Sequence, residues 1–456
     1  LFVSFREAVG YLFTTYSSSK SYRFAQYDQY TRTPWHTREL LDRIGSPDRQ
    51  IPNLLVTGSK GKGSTSRLLA SLLQSQGLRV GLFTSPHLID FTERIRVSGC
   101  AIDEDDFVRI LDAIRPVADE LAERFALHEY FGPVGLTAVV AALYFAEQHT
   151  DVNVLELGRG ARFDDVNQLA GSLAVITPVQ WEHADCLGPH LSDIAWHKAG
   201  VMRAGMKAVL AGRQTAAVRA VFPPEATPLS LPLDVFDREF TVSDVEVSAS
   251  GTKCTVTTPF ARYQDLQLGL LGRNQADNAA LAIAAAERYL GGALQVQGVR
   301  EALMGLQIPG RCQLLNLSEA KPKVLIDGAI NADSAGYLAE IIDRLGVQRV
   351  ISVIGVPSEK DYEGVLATLA PRSQSVIMTV AQNPHLQFPV DAAAKASVWC
   401  PASTAHSADE AIAQALALAG DAEGLVVIAG TQSLVAEALA YFHIPTRHCT
   451  PFSSDS

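Results

Sequence analysis

One run of residues stands out for its chemistry: Thr57-Gly58-Ser59-Lys60-Gly61-Lys62-Gly63-Ser64-Thr65. It follows an apolar β-type run, Asn53 to Val56, and opens a segment, Thr65 to Gln76, in which Leu68, Leu69, Leu72 and Leu73 recur at helical spacing. A glycine loop between a strand and a helix lets backbone N–H groups converge on phosphate oxygens, and the helix N-terminus adds partial positive charge. In such a loop Lys62 reaches the β- and γ-phosphates of a nucleotide and Ser64 ligates its magnesium. Gly58, Ser59, Lys60, Gly61, Gly63 and Thr65 complete the candidate nucleotide-binding set. The usual phosphate-loop pattern has Ser or Thr directly after the lysine, whereas Gly63 intervenes here. The plainer reading, a polar surface loop, is disfavoured by the strand before it and the helix after it.

Other chemistry-bearing residues carry less signal individually. Glu156 closes the apolar run Val152–Leu157, and open α/β sheets place their sites at the carboxyl ends of strands. Taken alone, Glu156 is a strand-end carboxylate, Ser85 a turn residue, His183 a structural histidine and Lys198 a solvated helix residue. The cysteines, Cys100, Cys186, Cys254, Cys312, Cys400 and Cys449, include no C-x-x-C pair, so neither a zinc site nor a disulfide framework is indicated.

Positioning such residues requires a sheet. Runs at Val80–Phe83, Asn153–Leu157, Leu173–Thr177 and Lys207–Leu210 alternate with amphipathic stretches, which implies a mostly parallel sheet with helices on both faces. Between Phe240 and Leu271 short alternating segments with a Gly251-Thr252 turn predict an antiparallel hairpin added to that sheet, and an Ala-rich helix follows at Ala276–Tyr289. A second alternating series, Val324–Ile326, Val350–Ile354, Ser375–Val380 and Leu425–Ile428, predicts a second, Rossmann-like α/β domain. The expected division is an ATP-binding N-terminal domain over 1–307, a hinge over 308–320 and a C-terminal domain over 321–456. The first fifty residues are expected to form a helix and a loop. With 456 residues, 47% hydrophobic, the chain is long enough for two or three cores. Its net charge of -11 disfavours nucleic acid and anionic membranes as partners. No apolar run reaches the length of a membrane span and no signal peptide is evident, so a cytoplasmic protein is expected.

The loop VTGSKGKGSTS resembles that of the Mur-type amide ligases, in particular folylpolyglutamate and dihydrofolate synthases. FTSPHLIDFTERIRV, VLELGRGARFDDVN, VITPVQWEHADCLG, IAWHKAG, LLGRNQADNAALA, IPGRCQ, LIDGAINADSA and SEKD resemble further blocks of that family in order, over nearly the whole chain. The resemblance implies an ATP-dependent carboxylate–amine ligase. ATP phosphorylates an acid, and an amine, usually that of glutamate, displaces phosphate from the acyl phosphate. It also implies roles: Ser64, Ser85 and Glu156 around a first magnesium; His183 at a second; Lys198 as a lysine that can be carbamylated into a metal ligand. Asn278 is implied to contact the nucleotide, Arg311 the γ-phosphate from the hinge, and Asp327 the ribose or adenine. Lys62, His183, Lys198 and Arg311 are thus the catalytic candidates, and Lys360-Asp361 a supporting contact. A monomer acting on a small acid and an amino acid is expected. The sequence departs from the family at Lys60 (usually Asn), Val134 (Glu), Glu182 (Asp), His197 (Glu) and Ile330 (His), so the expected acceptor is a folate or another carboxylate. A non-catalytic nucleotide-binding scaffold is the remaining reading.

Overall fold

The computed structural model describes residues 1–19 and 27–447; Cys449 lies outside the described residues. The larger sheet is built from β1 (Asn53–Thr57), β2 (Val80–Phe83), β3 (Ile95–Val97), β4 (Cys100–Ala101), β5 (Val152–Glu156), β6 (Leu173–Ile176), β7 (Val209–Ala211) and β8 (Leu233–Val235). Their order is β4-β3-β2-β5-β1-β6-β7-β8, parallel except at β3 and β4. Strand β1 is central, with Val56 opposite Glu156 on one side and Val175 on the other. Its alternate residues serve two cores. Leu55 packs among the amino-terminal helices and the helix Pro133–Glu147, while Leu54 and Val56 face the helices Lys62–Ser75 and Arg273–Leu290. Burial of both faces explains why the strands read as continuous apolar runs rather than alternating ones.

The predicted hairpin takes a different form. Strands β9 (Thr241–Ser248), β10 (Gly251–Thr257) and β11 (Arg262–Leu268) make a separate three-stranded antiparallel sheet with β10 in the middle. Cys254, Val256, Tyr263 and Leu266 turn one face of it into the same core as Leu54 and Val56. A two-stranded hairpin has too little apolar area to stand alone, and the third strand supplies the missing face. The turn is Ala249-Ser250, two residues before the predicted position. Gly251 instead opens β10 at φ +128°, where a Cβ would lie 2.0 Å from the Leu268 carbonyl oxygen. The first fifty residues also differ from expectation, forming helices at Phe5–Tyr11, Thr14–Ser18, Asp28–Thr31 and Trp35–Arg43 among those described.

The second sheet comprises β12 (Gln313–Leu315), β13 (Lys323–Asp327), β14 (Arg349–Gly355), β15 (Ser375–Met378), β16 (Ala402–Thr404) and β17 (Gly424–Gly430). Its order is β12-β13-β17-β14-β15-β16, parallel except for β12. Apolar residues cover both faces, with Leu325 and Val427 on one side and Val324, Ile326, Val426 and Ile428 on the other. No helix among the described residues is long and apolar enough to cross a membrane.

Candidate active site

Four neighbouring strands of the first sheet, β2, β5, β1 and β6, end toward one place. They deliver Ser85, Glu156, the loop Gly58–Gly61 and the segment from Thr177 to His183. From the second sheet, the ends of β13, β14, β15 and β17 deliver Asp327, Lys360, Asn383 and Thr431 to the opposite wall. Between them lies a cavity of about 590 Å³.

The loop geometry follows from its glycines. Gly58 (φ +134°) sits so close to β6 that a Cβ would fall 2.1 Å from Thr177 Oγ1, and Gly61 (φ +82°) so close that one would fall 2.7 Å from Asn278 Oδ1. Both positions require a residue without a side chain. The amides of Ser59 and Lys60 donate to Pro178 O, fixing the loop against the next strand's exit. Lys62 folds back over the loop, its Nζ donating to Gly58 O at 2.9 Å and Ser59 O at 3.4 Å. That places a cation at the mouth of a helix N-terminus, where anions are favoured.

Glu156 is buried beside this loop, and its Oε2 accepts the Ser85 amide at 3.2 Å. Burial pushes its carboxyl above the ordinary range, while Lys62, Arg67, the Ser85 amide and Arg311 pull the other way. Ser64 lies at the same mouth, and Ser64, Ser85 and Glu156 all line the cavity. Among the described residues no cluster of three or more His, Cys, Asp or Glu side chains suits a metal. The set here has one carboxylate and two hydroxyls. Those are hard oxygen donors, which suit magnesium when phosphate oxygens and water supply the rest.

Arg311 lines the cavity from the segment between the helix Val296–Gly305 and β12, so near β13 that a Cβ on Gly328 would meet its guanidinium at 2.3 Å. Asp327 accepts from the Cys312 amide at 2.8 Å and the Cys312 thiol at 3.3 Å, and burial raises its carboxyl. Asn278 donates to Gln275 Oε1 at 3.2 Å and faces Gly61. Lys60 also lines the wall, its ammonium lowered by burial.

Lys198 and His183 stand apart from that lining. Lys198, wholly buried, lies beneath the loop and donates to Gly58 O (2.8 Å), Arg159 O (2.6 Å) and Glu182 Oε1 (3.1 Å). Burial and Lys62 push its ammonium down to about 8 against the pull of Glu182. His183 is exposed with φ +49° at the start of a short helix. Gly58 and Thr65 are buried behind the cavity wall rather than part of it.

Reasoning from the sequence missed Arg67, Asn274, Gln275, Tyr337, Asn383 and the run Thr431–Ser433, all of which line the cavity. Arg67 had a usable signal: it lies four residues after Gly63, on the loop-facing side of the helix, and its guanidinium reaches Gly63 O. Asn383 and Thr431 follow the ends of β15 and β17, while Asn274, Gln275, Tyr337, Gln432 and Ser433 sit on helices, and only the fold brings them together.

Comparison with known proteins now decides the family. The Mur ligase middle domain matches residues 125–286, and the Mur ligase glutamate ligase domain matches residues 310–432. A dihydrofolate synthase/folylpolyglutamate synthase of Bacillus subtilis is 32% identical over 340 residues, covering 73% of this chain and 77% of that one. The chain belongs to the folylpolyglutamate/dihydrofolate synthase group of the Mur ligase superfamily. Among solved structures, the Mycobacterium tuberculosis folylpolyglutamate synthase complexed with ADP and AMPPCP superposes with a TM-score of 0.85 at 28% identity, covering 91% of this chain and 96% of that one. A folylpolyglutamate synthase–AMPPCP–folate complex has a TM-score of 0.77 at 26% identity, covering 96% and 99%. Membership gives the reaction class, an ATP-dependent, amide-forming ligase.

Proposed function

We propose that this enzyme joins glutamate to a folate-type acid, using ATP to convert the acid's carboxylate into an acyl phosphate that the glutamate amine then opens. The observation that carries this reading is the single cavity onto which the phosphate loop, Glu156 and Ser85 face from one domain and Arg311 and Asp327 from the other. A carboxylate is a poor electrophile because its leaving group would be oxide; phosphorylation supplies phosphate instead. Lys62 and the loop amides grip the β- and γ-phosphates, and Arg311 meets the γ-phosphate from the opposite side, so charge on the transferring phosphoryl is stabilised between the domains. Asn278, beside the phosphate loop at Gly61, contacts the nucleotide, and Asp327 its ribose or adenine. The two walls together exclude water from a hydrolysable intermediate. Ser64, Ser85 and Glu156 would hold magnesium, which would neutralise phosphate charge.

A second ion at His183 with a carbamylated Lys198 does not fit as well. Burial lowers the Lys198 ammonium, which favours carbamylation, but the contacts of its Nζ oppose it. A carbamate keeps one N–H where three acceptors stand, and sets a negative group against Gly58 O, Arg159 O and Glu182. Lys198 is instead a buried ammonium strut under the phosphate loop.

The division at 308–320 belongs to the same reading. The strand β12 shortens it: β12 starts at Gln313 and pairs within the second sheet, so the connection itself is 308–312. At one departure from the family the neighbourhood is not left without a carboxylate. Where the family carries Glu, this chain has Val134 between Gly132 and Gly135, and a Cβ on either glycine would strike Asp165 at 2.2 or 2.7 Å. A buried carboxylate therefore enters from another loop, held by Thr37 and Arg32. The test is ADP release with ATP, Mg²⁺, glutamate and a panel of pteroyl and simpler aromatic acids, with mass spectrometry of the product. Release dependent on a pteroyl acid, with a glutamyl-extended product, is expected. Turnover only with a non-pteroyl acid would transfer the assignment to that acceptor, and none with any acid would favour a scaffold.

A further inference from the structure

Arg96 in β3 is fully shielded from solvent, and nothing in the reaction above uses it. Its guanidinium donates to the backbone of the chain's far end: to Thr446 O at 2.6 Å and Arg447 O at 2.6 Å, and also to Gly99 O at 3.3 Å. Burying an arginine in this way is tolerable only because the carbonyls replace lost water. The Ala101 amide of β4 donates to the same Arg447 carbonyl at 3.1 Å, and the Arg447 side chain pairs with Asp103 at 3.5 Å. The terminal segment thus leaves the second domain, after the helix Gln432–Tyr441, and docks on the edge of the first domain's sheet.

A second carboxylate links this docking to the site. Thr446 Oγ1 donates to Glu93 Oε1 at 2.6 Å, and Glu93 is itself buried. The same carboxylate accepts the amides of Leu88 (3.0 Å), Ile89 (3.0 Å) and Asp90 (2.8 Å). Those residues form the loop immediately after Ser85. Leu88 lines the cavity and packs, with Ile444, against the second domain's core. Pulling residues 444–447 away would take one donor from Glu93 Oε1, the oxygen that also holds the Ile89 and Asp90 amides, and so loosen the loop that carries Ser85.

We propose that residues 444–447 form a clasp that sets the position of the Ser85 loop relative to Glu156 and the phosphate loop. Glu93, Arg96 and Thr446 are its positioning residues. The proposal rests on the reading of Ser85 as a metal-site oxygen. A clasp that only glued the domains together would affect stability; one that places Ser85 affects the response to magnesium.

The test uses the full chain with four variants: Thr446→Val, Thr446→Ser, Ser85→Ala and Arg96→Met. The magnesium concentration for half-maximal ADP release is measured with kcat, melting temperature and amide exchange at residues 88–90. Thr446→Val should raise the half-maximal magnesium concentration by about 3–10-fold. It should also speed exchange at residues 88–90 and leave the melting temperature close to wild type, while Thr446→Ser restores all three. Arg96→Met is expected to lower the melting temperature strongly, so the threonine pair carries the decision. Wild-type magnesium dependence in Thr446→Val, while Ser85→Ala shifts it, overturns the clasp alone. Wild-type dependence in Ser85→Ala overturns the metal-site reading of Ser85 and the clasp with it.

Discussion

Around Glu156 burial and charge act in opposite directions: desolvation favours the protonated acid, while Lys62, Arg67 and Arg311 favour the carboxylate. A bound cation would settle the balance toward the carboxylate. Glu156→Gln keeps the shape and removes the charge, so ADP formation should fall by about 10²–10³-fold while the melting temperature stays near wild type. Lys62→Ala should lose activity comparably, and near-normal turnover in either variant would remove that residue from the chemistry. His197, where the family usually has Glu, gives a second expectation. Burial pushes its imidazole down to about 4, with Asp28 opposing and Arg162 and Lys198 assisting. Its unfolded value is about 6.5, so between about 6.5 and 4 the unfolded chain binds more protons and stability falls as pH drops. Above that window the full contribution is present. His197→Leu should therefore flatten the acid side of the stability profile by up to about 1 kcal/mol per pH unit, read from denaturant midpoints at pH 7.5, 6 and 5. An unchanged slope would mean that the imidazole is solvated. Residues of this kind were legible wherever a local pattern surrounded them. Lys62 and Ser64 stand in a glycine loop; Arg67, one turn further along, was passed over because an arginine in a helix is ordinary.

The strands and helices that hold these residues were readable in proportion to their length. Strands β1, β5, β6, β13, β14 and β17 run four to seven residues with apolar side chains on both faces, and each matches a run seen in the sequence. Strands β3, β4, β8, β12 and β16 have two or three residues each, too few for any period, and exist because a neighbouring strand offers an edge. The third strand of the small sheet, β11 (RYQDLQL), is mostly polar and gains its place from Tyr263, Leu266 and Leu268 facing the core. At this level the phosphate loop is a rigid connection between β1 and the helix Lys62–Ser75, and its rigidity is testable. Gly61→Ala would need φ +82° and would bring a Cβ to 2.7 Å from Asn278 Oδ1. It should weaken nucleotide binding at least tenfold by calorimetry while costing only about 1–2 kcal/mol of stability, since the Asn278 side chain can give way. Gly58→Ala meets backbone atoms of Thr177 at 2.7 and 2.9 Å instead, so it should cost more stability than Gly61→Ala. The reverse ranking would show that the loop relaxes freely.

The two domains bring their halves of the site together because both sheets point their strand ends into one cavity, an arrangement that no single segment of sequence contains. Its seam is the Ile308-Pro309-Gly310-Arg311-Cys312 connection. Gly310 there has φ +67°, and a Cβ would lie 2.1 Å from Val435 Cγ1 on the helix Gln432–Tyr441. That contact joins the hinge to the same helix whose first residues, Gln432 and Ser433, line the cavity. Gly310→Ala would therefore both strain the backbone and push the second domain outward, moving Arg311 away from the phosphate loop. The expected result is a drop in kcat of about tenfold or more with a smaller change in KM for the acceptor, because in the proposed reaction the displaced group acts on the transferring phosphoryl. Val435→Ala, added to that variant, removes the clashing methyl and should recover part of the rate. Recovery would locate the defect in domain spacing; failure of the second change to help would locate it in the backbone of the hinge, since a left-handed conformation costs alanine about 1–2 kcal/mol wherever Val435 stands. A Gly310→Ala enzyme with wild-type kcat would show that the approach of Arg311 does not limit phosphoryl transfer.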